Sequence, residues 1–276
     1  MAKIIALANQ KGGVGKTTSS INLAACLAVA EKKTLLIDLD PQGNASVGVG
    51  LRVEDYEDKN IYHTLIGTEK IKDCIYQTEL PCFDICPSEN SLVGAEIELV
   101  SVFARESKLK SALEEIANDY DYILIDCPPS LGLLTVNAFN AANSYIVPLQ
   151  TEYFAMEGLA QLLNTVKLIR GSLNPKLEMD GILLTMFDGR NNLHKQVSHE
   201  IRNHFGDKVF ETVIPRNVKL SECPSHGKPI ILYDIESRGS EAYLSLTKEV
   251  LLIDRYKNSQ QTNQNQQEIF ESQPNA

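Results

Sequence analysis

The feature that most restricts what this 276-residue chain can fold into lies at its start. An apolar, β-branched run at residues 3–8 leads into Lys11-Gly12-Gly13-Val14-Gly15-Lys16-Thr17-Thr18, and a helical pattern follows over residues 17–30. In that stretch Ile21, Ala24, Ala25 and Ala28 recur at helical spacing. Strand, glycine loop and helix in that order form the opening of a βαβ unit. Gly12, Gly13 and Gly15 let backbone N–H groups wrap a polyphosphate without a side chain in the way. The start of the helix adds its positive end. In such a loop Lys16 contacts the β- and γ-phosphates and the Thr17 hydroxyl ligates Mg²⁺. The usual pattern begins with a glycine at position 10, where this chain has Gln10; Lys11-Gly12-Gly13 replaces the expected start.

The rest of the chain repeats the alternation. Strands are predicted at residues 34–38, 83–86, 122–126, 144–149, 179–186 and 209–213. Helices are predicted at 61–66, 108–117, 156–169, 193–205 and 241–256. Residues 40–50, rich in Gly, Asn and Ser, read as a loop. Strands that are apolar along their whole length, alternating with helices, predict an α/β fold. Its doubly wound, mostly parallel sheet carries helices on both faces. One domain is expected over residues 1–257. Residues 258–276 begin Asn-Ser-Gln-Gln-Thr-Asn and are expected to be a disordered polar tail.

Composition narrows the class. Hydrophobic residues make up 43% and charged residues 22%, as in ordinary soluble proteins. No apolar run approaches the ~20 residues that span a bilayer, and the first apolar stretch is too short for a signal peptide. A cytoplasmic protein is expected. The six cysteines form no Cys-x-x-Cys pair and read as reduced thiols. The five histidines, at 63, 194, 199, 204 and 226, form no evident catalytic set. The net charge of −10 opposes nucleic-acid binding, but its distribution is uneven. Residues 187–257 carry 11 Lys and Arg against 10 Asp and Glu, so any surface for DNA belongs to the C-terminal third.

Three aspartates fall at strand ends, where ligands of a doubly wound sheet sit. Asp126 closes Ile123-Leu124-Ile125 and is placed to hold Mg²⁺. Asp38 and Asp40 follow the second strand, Asp38 nearer the metal's outer shell.

The arrangement Lys-Gly-Gly-x-Gly-Lys-Thr-Thr resembles the deviant Walker A motif of the ParA/MinD ATPases. The resemblance runs over about residues 3–256. Asp40-Pro41-Gln42-Gly43-Asn44, the stretch from Gln150 to Gly158, and Ile214-Pro215-Arg216-Asn217-Val218 favour the ParA (Soj) branch. It implies ATP as nucleotide and a homodimer in which Lys11 reaches the partner's nucleotide. It also implies that Asp40 orients the attacking water, that Pro215 and Asn217 hold the adenine, and that Glu152 reaches across the dimer. By the same resemblance the ATP-bound dimer binds nonspecific double-stranded DNA, on the nucleoid. Arg190 matches a family DNA-binding arginine, with Lys219, Arg238 and Lys248 as further candidates. A ParB-type protein is the implied partner, and the polar ending, unlike the basic amphipathic helix of MinD, implies no membrane. Two other readings stay open: an ATP-dependent positioner of another cargo, and a metabolic enzyme on the same scaffold.

Overall fold

Runs of leucine, isoleucine and valine that are buried on both sides build the centre of the molecule. The computed structural model describes residues 1–271, with side chains described for residues 1–257 and Ser259. Its strands are β1 (Lys3–Leu7), β2 (Thr34–Asp38), β3 (Tyr76–Gln77), β4 (Phe83–Cys86), β5 (Tyr122–Asp126), β6 (Ser144–Gln150), β7 (Glu178–Phe187) and β8 (Val209–Pro215). They form one sheet in the order β3-β4-β2-β5-β1-β6-β7-β8. All pairs are parallel except β3 with β4, a short antiparallel edge that the sequence pattern did not reveal. Leu35, Leu36 and Ile37 on β2 and Ile123, Leu124 and Ile125 on β5 are fully buried. Each such side chain contributes roughly 1.5–3 kcal/mol.

The helices are α1 (Lys16–Val29), α2 (Asn44–Gly48), α3 (Ile61–Ile66), α4 (Leu92–Glu98), α5 (Lys108–Glu114), α6 (Leu133–Ala141), α7 (Ala155–Ser172), α8 (Asn192–Phe205), α9 (Val218–Glu222), α10 (Ile230–Tyr233) and α11 (Arg238–Glu271). They make two apolar layers. Leu23 and Leu27 of α1 pack with Tyr243, Leu246 and Val250 of α11 on one face. Helices α3 to α8 cover the other face, with Leu65, Leu113, Phe139, Leu162 and Ile201 in its core.

Several elements differ from expectation, and helices α4, α9 and α10 are among those the sequence pattern did not reveal. The loop at residues 40–50 contains α2. Helix α6, absent from the sequence reading, follows Pro128-Pro129 and is apolar without a clear period, so nothing marked its inner face. Helix α11 continues to Glu271, past the domain boundary expected at residue 257. Glutamine is a good helix former, and no glycine or proline interrupts residues 258–271. Residues 272–276 of the expected tail lie outside the described residues.

Register decides where the chemistry lies. β5 sits between β2 and β1, with Asp38 level with Asp126 on one side and Leu7 level with Asp126 on the other. The glycine loop begins at Lys11, four residues after β1 ends at Leu7. Two carboxylates and the loop therefore meet at one edge of the sheet.

Candidate functional site

The loop is held open by its neighbours. The Asn9 side chain donates to the Pro148 carbonyl (2.7 Å) and accepts from the Lys11 backbone N–H (3.0 Å). The Thr185 hydroxyl donates to the Val14 carbonyl (2.8 Å) and ties the loop to β7. Gly13 and Gly15 are left-handed, with φ of 74° and 83°, a conformation that penalises any other residue. Gly15 precedes α1 and supplies no side-chain cap, which leaves the first N–H groups of the helix for an anion.

Lys16 is buried, and its Nζ donates to the Lys11 carbonyl (3.1 Å). Burial holds its pKa below the usual lysine value, against the opposing pull of Asp126. A buried cation with one neutral acceptor favours a phosphate oxygen. The cleft above the loop has a volume of about 760 Å³, and Gly13, Lys16, Thr17, Thr18, Asp40 and Pro129 line it.

Asp126 is fully buried. Its Oδ1 accepts from the Ser20 hydroxyl (2.8 Å), while Oδ2, also buried, has no hydrogen bond. Burial, and after it the nearby Asp38 carboxylate, push the Asp126 pKa up to about 7. Asp38 is pushed up to about 6, mainly by burial, with hydrogen bonds from Ser46 opposing. Two buried carboxylates with one orphaned oxygen are a surplus of negative charge that a divalent cation offsets. The residues fit Mg²⁺: Thr17 lies beside Asp126, and both offer hard oxygen donors. Among the described residues no group of three or more His, Cys, Asp or Glu side chains is arranged for a metal. The nucleotide's phosphates must then complete the shell, as is usual for Mg²⁺. Asp38 is turned toward the following segment, with both oxygens engaged by Asp40 and Ser46.

Lys11 does not line the cleft. Its exposed side chain runs along the rim to pair with Glu152 of the same chain. Pro215 and Asn217 line an adjoining cavity of about 310 Å³, together with Gly15, Thr18 and Tyr243. The Asn217 side-chain oxygen caps α9 by accepting from the Lys219 N–H (2.8 Å).

The DNA candidates have unequal surroundings. Arg190 is 92% exposed, but its guanidinium is clamped by Asp188, Nε to Oδ1 at 3.0 Å and Nη2 to Oδ2 at 2.9 Å. Lys219 pairs with Glu222 (3.1 Å). Arg238 and Lys248, both on α11, are exposed and make no ion pair among the described residues. Ten residues of helix separate these two by ~15 Å. Sequence reasoning missed Ser20 and Thr185, whose partners lie far away in the chain, and Ser46, which meets Asp38 and Ser88 only through the fold.

Comparison with known proteins decides the family. The AAA domain family AAA_31 matches residues 2–179. The chain is 57% identical to the sporulation initiation inhibitor protein Soj of Bacillus subtilis, over 91% of this chain and 98% of that one. It is 54% identical to the chromosome partitioning protein ParA of Myxococcus xanthus, over 93% and 90%. The chain belongs to the ParA/Soj family of chromosome-partitioning ATPases.

As a ParA/Soj-type P-loop ATPase it uses ATP and magnesium. A solved structure of cobyrinic acid a,c-diamide synthase from Mycobacterium smegmatis, with bound ADP and magnesium, has the same fold. It is 33% identical, covers 91% of this chain and 94% of that one, and gives a TM-score of 0.80. The higher identity of the partition proteins over nearly their full length favours the ParA/Soj reading over a metabolic enzyme. Among the described residues no helix is long and apolar enough to cross a membrane.

Proposed function

We propose that this chain is a chromosome- or plasmid-partitioning ATPase whose ATP-bound form is a face-to-face dimer that binds DNA without sequence preference. The observation that carries the reading is the position of Lys11. A loop with two lysines keeps one, Lys16, inside its own cleft and leaves the other on the rim, paired only with Glu152. An exposed pair of this kind is weak and readily exchanged. A second subunit placed across the cleft offers Lys11 the far more negative phosphates of a nucleotide.

In the closed dimer the loop amides and Lys16 hold the β- and γ-phosphates, and Pro215 and Asn217 flank the base. Thr17 and Asp126 would hold the magnesium ion, which would supply charge neutralisation at the phosphates when bound. Asp40, on the cleft wall, orients the attacking water. Lys11 from the other subunit stabilises the charge that develops on the leaving group. Glu152, released by Lys11, is then free to meet the partner's nucleotide.

DNA binding follows dimerisation because two subunits present twice as many phosphate contacts to one duplex, which an acidic chain with a net charge of −10 needs clustered locally. Arg190, Lys219, Arg238 and Lys248 are the candidate contacts, doubled by symmetry. A ParB-type protein stimulates hydrolysis, and opening of the dimer releases DNA.

The test is binding to random duplex DNA with ATP, with ADP and without nucleotide, at two salt concentrations. Binding that needs ATP and falls steeply with salt is expected. Equal binding in all three nucleotide states would sink the reading. Arg190→Glu is expected to abolish DNA binding and to leave ATP-dependent dimerisation intact.

A further inference from the structure

The segment that carries Asp40 is not a free loop. It is fixed at both ends by a buried hydrogen-bonded chain whose central member is a serine. The Ser46 hydroxyl donates to Asp38 Oδ2 (2.7 Å), and the Ser46 backbone N–H donates to the same oxygen (2.9 Å). The other Asp38 oxygen accepts from the Asp40 N–H (3.2 Å), and Asp40 Oδ1 accepts from the Gln42 N–H (3.0 Å). On its far side the Ser46 oxygen accepts from the Ser88 N–H (3.0 Å), just beyond β4. Ser46, Ser88 and Asp38 are fully buried, and Asp40 is nearly so.

Only a hydroxyl can hold this place, because it must donate to a carboxylate and accept from an amide at once. The second fixed point adds precision. Gly43 is left-handed with φ of 62°, and a Cβ on it would lie 2.6 Å from the Ser88 carbonyl oxygen. The segment is thereby clipped to the end of β2 through Asp38 and to the exit of β4 through Ser88. Asp40 projects from the clipped stretch onto the cleft wall, with one carboxylate oxygen tied to its own turn.

We propose that Ser46 is a positioning residue for ATP hydrolysis, holding Asp40 in hydrolytic geometry through its joint contacts with Asp38 and Ser88. This rests on the reading of Asp40 as the water-orienting group. Ser46 is buried and does not line the cleft, so its removal acts on turnover and not on ATP affinity. The loop amides, Lys16 and Thr17, which bind the phosphates, are outside the hydrogen-bonded chain.

The experiment measures kcat, KM for ATP and thermal midpoint for Ser46→Ala, Ser46→Thr, Asp40→Ala and the Ser46→Ala/Asp40→Ala double variant. Ser46→Ala is expected to lower kcat about tenfold or more while KM moves less than about threefold. Ser46→Thr, which keeps the hydroxyl, restores most of kcat. In the double variant the Ser46 effect disappears, because there is no carboxylate left to position. Gly43→Ala disturbs the second fixed point and gives the same kcat loss at unchanged KM, which keeps the test usable if Ser46→Ala folds poorly. A kcat unchanged in both Ser46→Ala and Gly43→Ala overturns the proposal. So does a loss in Ser46→Ala that persists in full in the double variant. Normal turnover by Asp40→Ala alone overturns the underlying reading instead, so the two failures are separable.

Discussion

Asp126 shows how much one residue can reveal. It ends an apolar strand beside a phosphate loop, so its place next to that loop was legible in the sequence. The structure adds that one of its oxygens is buried without a partner, next to a second buried carboxylate. Such an arrangement sacrifices stability for a cation site. Asp126→Asn is therefore expected to raise the thermal midpoint of the nucleotide-free protein, by about 1–3 kcal/mol of stability, while abolishing magnesium-dependent hydrolysis. Calorimetry and a turnover assay on the same preparation check both halves; a destabilised variant would show that Asp126 is structural. Arg190 is the opposite case. Its position suggested a DNA contact, but only the structure shows Asp188 clamped on its guanidinium. DNA phosphates must displace Asp188, so Asp188→Asn is expected to strengthen ATP-dependent DNA binding about two- to fivefold at low salt. Weaker binding would mean that Asp188 presents Arg190 to DNA instead of masking it. Ser46 and Thr185 were illegible because each acts through partners brought close only by folding. Asp38 lies eight residues from Ser46, and Val14 lies 171 from Thr185.

At the scale of elements, the central strands β2 and β5 were the most legible part, because each is a run of buried apolar residues that ends at an aspartate. Helix α6 was not, since its apolar residues show no clear period and its Asn137 and Asn140 are buried too. The end of α11 was placed at Tyr256, before the polar Gln/Asn tract, but helix propensity carries it on to Glu271. A cluster opposite the nucleotide edge fastens this helix to the sheet. Lys257 pairs with Glu178 (2.8 Å) and with the buried Asp180 (2.9 Å), and Asp254 accepts from the Tyr122 hydroxyl (2.7 Å). The Lys257 hydrogen bond holds the Glu178 carboxyl below its ordinary value of 4.5. A depressed carboxylate stabilises the fold above its unfolded pKa and loses that contribution as pH falls through the folded value. Lys257→Ala is expected to cost about 1–2 kcal/mol at neutral pH through its lost pairing with Glu178 and Asp180, although Asp180 keeps Lys3 (3.5 Å) and a hydrogen bond from Ser144. That cost is expected to shrink below about pH 4. Chemical denaturation at several pH values measures it, and a pH-independent cost would contradict the electrostatic account.

The whole molecule is acidic, has a single sheet, and carries its nucleotide residues along one edge. The fold class was legible because alternation of strand and helix leaves few topologies open. The two-subunit site is a different matter. A single chain shows Lys16 turned inward and Lys11 turned along the rim, and the second subunit has to be inferred from that contrast. The most direct measurement mixes two chains of strongly reduced turnover, Lys11→Ala and Asp40→Ala, and follows ATP hydrolysis. If Lys11 serves the partner's nucleotide, a mixed dimer holds one complete site, formed by Asp40 of one chain and Lys11 of the other. Equal mixing then recovers about a quarter of the wild-type rate, because half the dimers are mixed and each has one working site of two. If Lys11 serves its own chain, every site in every dimer lacks one group, and the mixture stays as inactive as either variant alone.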